Sequence, residues 1–67
     1  MLAEKIREHR RSAGMTQREL AQALKISQNT VSQYESGKRN PTVKKLVEIS
    51  ALLGCSVNEL TANSKKT

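Results

Sequence analysis

The stretch that decides the fold runs from Thr16 to Gly37 and reads TQRELAQALKISQNTVSQYESG. It divides into two short helical patterns about Lys25 and Ile26. Thr16 stands where its side chain can cap free backbone donors while Glu19 reaches back, and Met15 can staple onto Leu20, so the helix start is well marked. Leu20, Ala21 and Leu24 fall on its inner face, and Ala21 is small enough to let another helix approach closely. Lys25 and Ile26 leave room for only a tight turn before Ser27 caps the next helix, with Ile26 and Val31 as its staple. Two helices joined by so short a turn must cross steeply, which makes a helix-turn-helix unit.

The second of these helices has two dissimilar faces. Val31 and Tyr34, with Ile26 just before them, form an apolar edge and leave Gln28, Asn29, Ser32 and Gln33 facing outward. A solvated helix face is normally stocked with Lys and Glu, whereas this one is amide and hydroxyl without charge. Gln and Asn carry a donor and an acceptor side by side and can bond an adenine edge in a bidentate way. An ordinary polar surface is the competing reading, and the surroundings weigh between the two.

Upstream, residues 2–13 read as a first helix with Leu2, Ile6 and Ala13 inside and Glu4, Lys5, Glu8 and Arg11 outside. His9 also falls inside, as a half-buried imidazole at the domain edge. Downstream, Lys38, Arg39 and Asn40 form a basic loop closed by Pro41. Thr42 can cap a fourth helix with Val43, Leu46, Val47, Ile49 and Leu53 as its apolar stripe and Ser50 where a small residue is wanted. Its first turn holds Lys44 and Lys45 where the macrodipole favours anions, a misfit of about 0.3 to 1 kcal/mol per charge, and a cost without structural gain hints at function. Ser56 and Glu59 form a further capping box for a short fifth helix, stapled by Cys55 and Leu60, which makes Cys55 a core thiol. The glycines all fall just past helix ends, and no strand-like alternation occurs. The fold class is therefore all-α, with one domain over residues 1–60 and a flexible basic tail over 61–67.

Sixty-seven residues leave too little core for an enzyme cleft plus its scaffold. The net charge of +6 is uneven, with residues 27–45 at +3 and residues 46–60 at −2, so the basic excess surrounds the outward amide face. Such a field favours nucleic acid or an anionic surface. One Cys forms no internal disulfide, which suits a reducing cytoplasm, and no signal peptide or long apolar run indicates secretion or a membrane. Ser, Cys and the single His lie at no spacing that pairs a nucleophile with a base, and nothing has metal-ligand spacing. The expectation is a non-enzymatic protein without metal, cofactor or small-molecule ligand.

With TQRELAQAL at Thr16–Leu24, ISQNTVSQYESGKRNP at Ile26–Pro41 and LVEISALLGCSVNEL at Leu46–Leu60, the chain resembles the phage repressor and Cro family of helix-turn-helix proteins, the XRE type. The resemblance covers Ile6 to Leu60 and implies a compact five-helix bundle, the lambda repressor-like DNA-binding domain. In that family the third helix enters the major groove and the second lies across the backbone. Carried over by position, Gln28, Asn29, Ser32 and Gln33 read bases. Gln17 and the loop residues Ser36, Lys38, Arg39 and Asn40 hold phosphates, joined by Lys44 and Arg11. The resemblance also implies an ion pair between Arg10 and Glu35. Two residues depart from the family: Lys25 stands where the turn commonly has Gly, and His9 replaces an aliphatic residue.

The function implied is a sequence-specific transcriptional regulator, a repressor by preference, located in the cytoplasm of a prokaryotic cell or encoded by a phage. It would bind double-stranded DNA at a palindromic operator as a homodimer, pairing through Cys55–Leu60. The alternative is a protein-binding module of the same fold, an antitoxin or coactivator bridge. That reading calls for an exposed apolar patch, and the sequence pattern shows none.

Overall fold

The computed structural model describes residues 2–61, which form five helices: α1 Leu2–Ser12, α2 Gln17–Leu24, α3 Gln28–Ser36, α4 Val43–Leu53 and α5 Val57–Thr61. No strand occurs among the described residues. Each of the three inner helices begins on a hydroxyl cap. Glu19 N donates to Thr16 Oγ1 at 3.0 Å and Thr16 N to Glu19 Oε1 at 2.9 Å, a complete capping box. Thr30 N donates to Ser27 Oγ and Lys45 N to Thr42 Oγ1, both at 3.1 Å. Ser56 and Glu59 repeat the reciprocal box ahead of α5.

The turn after α2 settles the crossing of α2 and α3. Lys25 is left-handed, at φ 61 and ψ 41, and it is the one non-glycine residue with positive φ among those described. Lys25 N donates to Gln22 O at 3.2 Å and Ile26 N to Ala21 O at 3.0 Å, the pairing by which a left-handed residue closes a helix end. Lys25 thus adopts the conformation for which the family commonly uses glycine, at some steric cost.

Ile6, Leu20, Val31, Ile49 and Leu60 have no more than trace exposure and form the centre of the core. Ala21, Leu24, Tyr34, Leu46 and Leu53 close it. Every helix contributes, and α1 packs on α3, α4 and α5 while α2 packs on α3 and α4. Met15, Ile26 and Cys55, the outer members of the three staples, are half-buried against this cluster. Ser50 is buried, and its hydroxyl donates to Val47 O at 2.8 Å, so a small side chain serves there.

Several sequence expectations are corrected. The first helix stops at Ser12, and Ala13 is exposed rather than inside. Lys5 is half-buried, not outside. Val43 and Val47 are 79% and 50% exposed, because α1, α2 and α5 pack on the other side of α4 and leave this edge of the apolar arc uncovered. Thr61 belongs to α5, its hydroxyl donating to Val57 O, while the rest of the expected tail lies outside the described residues. His9 is half-buried, and no group of metal-ligating residues gathers among those described.

Candidate nucleic-acid interface

The caps at Thr16 and Ser27 and the Lys25 turn hold α3 against α2 and α1, burying Val31, Tyr34 and Glu35. The opposite side of α3 is the amide face. Gln28, Asn29 and Ser32 are exposed and Gln33 is half-buried. No side-chain hydrogen bond within the described residues engages any of the four, so their donors and acceptors are free for a ligand. Thr30, between them, is half-buried, and its hydroxyl lies 2.9 Å from that of Ser27.

Beneath one end of this face lies a buried polar network. Arg10 Nε donates to Glu35 Oε2 at 2.6 Å and Arg10 Nη2 to Glu35 Oε1 at 3.2 Å, a bidentate pairing with side chains 10% and 3% exposed. Arg10 Nη1 also donates to Met15 O at 2.7 Å, and Gln17 Nε2 donates to Glu35 Oε1 at 3.1 Å. The network joins α1, the start of α2 and the end of α3. It leaves no buried side-chain polar atom unpaired.

This network floors an open notch of about 280 Å³ whose walls include Arg7, Arg11, Gln17, Ser32 and Ser36. Arg7 was not foreseen. The signal was its spacing, since Arg7 and Arg11 lie four apart and so share a face of α1. Gln17 is the first residue of α2, where backbone donors lack intrahelical partners and favour an anion. One proton of its side-chain amide is held by Glu35, leaving the other for a ligand. Ser36 donates its hydroxyl to Gln33 O at 3.3 Å and would have to rotate to serve an anion.

Just past this same C-terminal end of α3, Gly37 is left-handed, at φ 83, and the chain turns into Lys38, Arg39 and Asn40, all exposed. Lys44 is exposed as well. Lys45 differs: its ammonium donates to Leu24 O at 3.4 Å and to Glu48 Oε1 at 3.0 Å. It thereby serves the carbonyl end of α2, where a cation is favoured. Its place in the first turn of α4 has a structural return that the sequence did not disclose.

The family model described as Helix-turn-helix matches residues 6–60. The HTH-type transcriptional regulator DicA of Escherichia coli K12 is 49% identical over 55 residues, spanning 82% of this chain and 41% of that protein. The chain thus covers less than half of that relative. Among solved structures, the P22 c2 repressor in complex with a synthetic operator superposes with TM-score 0.86 at 27% identity, covering 92% of this chain and 94% of that one. Hydroxypropylphosphonic acid epoxidase from S. wedmorenis also contains the fold, with TM-score 0.87 at 29% identity, covering 96% of this chain and 34% of the enzyme. The fold alone therefore does not decide function, and the side chains displayed on it do.

Proposed function

Because this chain belongs to the XRE-type helix-turn-helix family, we propose that it is a sequence-specific DNA-binding transcriptional regulator, with α3 seated in the major groove of a palindromic operator. The observation that carries this reading is the uncommitted, uncharged face of α3, with exposed cations of α1 and of the following loop near its C-terminal end. Gln28, Asn29, Ser32 and Gln33 read base edges. Arg7, Arg11 and Gln17 at the notch, with Ser36 at its rim, and Lys38, Arg39, Asn40 and Lys44 in the loop after α3 and the first turn of α4, hold phosphates. The phosphate contacts supply position and most of the affinity, and the amide face supplies the sequence preference. None of these residues forms a nucleophile–base pair, which favours a binding protein over an enzyme. One recognition helix spans few base pairs, so useful specificity requires two copies on half-sites about 10 base pairs apart.

Selection of bound sequences from a random duplex pool tests the reading. A recovered consensus with two-fold symmetry is expected, and loss of that consensus in the Gln28→Ala protein would tie it to α3. Lys38→Ala should instead weaken consensus and random duplexes alike. Recovery of no consensus would refute the proposal. The same fold could serve as a protein adaptor, and the exposure of Val43 and Val47 on one edge of α4 is the observation that favours a protein-docking face.

A further inference from the structure

The amide face of α3 suits adenine, and adenine brings with it a group that no amide can satisfy. Every adenine in a duplex is paired with thymine, whose C5-methyl stands in the same major groove. That methyl neither donates nor accepts a hydrogen bond. It is recognised by apolar contact, and a polar group laid against it loses hydration without gaining a partner. A helix that reads A·T pairs through amides therefore gains from one apolar group on its groove side.

Thr30 and Val31 are the two residues of α3 that carry methyl groups. Val31 lies wholly in the core, whereas Thr30 is half-buried. Thr30 is the third residue of α3, in the first turn, where a recognition helix meets base edges. It stands three residues before Gln33, about 60° from it round the helix axis. Side chains at that spacing are surface neighbours, with Cβ atoms about 5 to 6 Å apart, close enough to meet successive base pairs.

The polar half of the Thr30 side chain is engaged in the fold. Its Oγ1 lies 2.9 Å from Ser27 Oγ, which also accepts from Thr30 N at 3.1 Å. A threonine in a helix divides between two χ1 rotamers, and a bond of this kind selects one of them. With its hydroxyl turned back to the cap, the residue offers a ligand a held methyl group.

We infer that Thr30 is a specificity-determining residue of α3, its methyl packing on the C5-methyl of a thymine beside the base pair read by Gln33. The inference rests on the DNA reading above and adds the one groove feature that Gln28, Asn29, Ser32 and Gln33 do not recognise.

Uracil differs from thymine only in lacking this methyl and pairs with adenine unchanged, so the test alters the DNA as well as the protein. In the consensus duplex recovered by selection, each thymine is replaced singly by uracil, and affinity is read by fluorescence anisotropy at one fixed salt concentration. At one position in each half-site the unaltered chain should bind roughly three- to tenfold more weakly, on the scale of one buried methyl group. Thr30→Ser keeps the hydroxyl and its bond to Ser27 but lacks the methyl. It should bind the thymine duplex as weakly as the unaltered chain binds the uracil duplex, and be indifferent to the exchange. Thr30→Val keeps a methyl without the hydroxyl and should retain the thymine preference. A consensus without thymine among the contacted pairs would overturn the inference, as would uracil exchange without effect at every position. So would a thymine preference that survives in Thr30→Ser. Each of these outcomes leaves DNA binding itself intact, whereas failure of the unaltered chain to prefer its consensus over random duplex would strike the DNA reading instead. Far-ultraviolet circular dichroism checks that Thr30→Ser is folded; if it is not, the uracil series on the unaltered chain and on Thr30→Val carries the test.

Discussion

Glu35→Ala is the sharpest probe of how this domain holds its α3. The carboxylate accepts from Arg10 Nε at 2.6 Å, Arg10 Nη2 at 3.2 Å and Gln17 Nε2 at 3.1 Å, with its side chain 3% exposed. Its removal leaves the Arg10 guanidinium buried with one remaining bond, to Met15 O. Stranding one member of a buried pair costs about 3 to 5 kcal/mol. A domain of this length has a total stability of about 3 to 10 kcal/mol, so the loss is a third of it or more. At about 4 to 8 °C per kcal/mol for domains of this size, the melting temperature should fall by at least about 12 °C. Arg10→Met should cost a similar amount, since it strands the carboxylate. The double variant Arg10→Met, Glu35→Leu should recover most of the loss, because two apolar residues of similar volume can replace a buried pair at little or no net cost. Urea and thermal unfolding followed by far-ultraviolet circular dichroism measure all four corners of this cycle. A loss below about 1 kcal/mol in Glu35→Ala, or a double variant as unstable as the sum of the singles, would refute the reasoning.

Lys25→Gly should stabilise the domain by about 0.5 to 1 kcal/mol, because φ 61 is strained for a side-chain-bearing residue; a lower unfolding midpoint in urea would mean the turn relaxes differently. Lys45→Met should cost about 1 kcal/mol through the carbonyl end of α2 and the Glu48 contact, a loss that shrinks in high salt; an effect confined to DNA binding would make Lys45 a phosphate contact instead. Burial, with Glu59 nearby as a second cause, pushes the Cys55 thiol above its ordinary pKa. The ionised form is therefore disfavoured in the folded state, so this contribution to stability is fully present below the unfolded-state value and is lost as pH rises from there through the raised folded-state value. Alkylation by iodoacetamide at pH 8 should be slower than for the urea-unfolded chain, and equal rates would show the thiolate is not suppressed.

Hydrophobic period and capping chemistry made the helices legible, because both are local. Thr16, Ser27, Thr42 and Ser56 all stand one residue before a helix and bond the backbone there. The Arg10–Glu35 pair was not legible from the residues, since a charged side chain on a short helix is placed in water by default. Only resemblance to known proteins suggested that these two meet across 25 positions. Lys45 misled for a related reason: its first-turn position is local, but the carbonyl it serves belongs to Leu24, on another helix.

Val43 and Val47 expose the limit most clearly. Periodicity reports that α4 has an apolar arc, and the arc here spans Val43, Leu46, Val47, Ile49, Ser50 and Leu53. How much of that arc is covered depends on where α1, α2 and α5 sit, and five short helices cover only the part holding Leu46, Ile49, Ser50 and Leu53. A face that is apolar by sequence and bare in the folded domain carries information at the next level of organisation. The amide face of α3 is uncharged and unbonded in the same way, yet its groups are polar and tolerate water, so the folded domain does not need them covered. The stripe on α4, by contrast, is apolar and gains from being covered whether or not any ligand sits on α3.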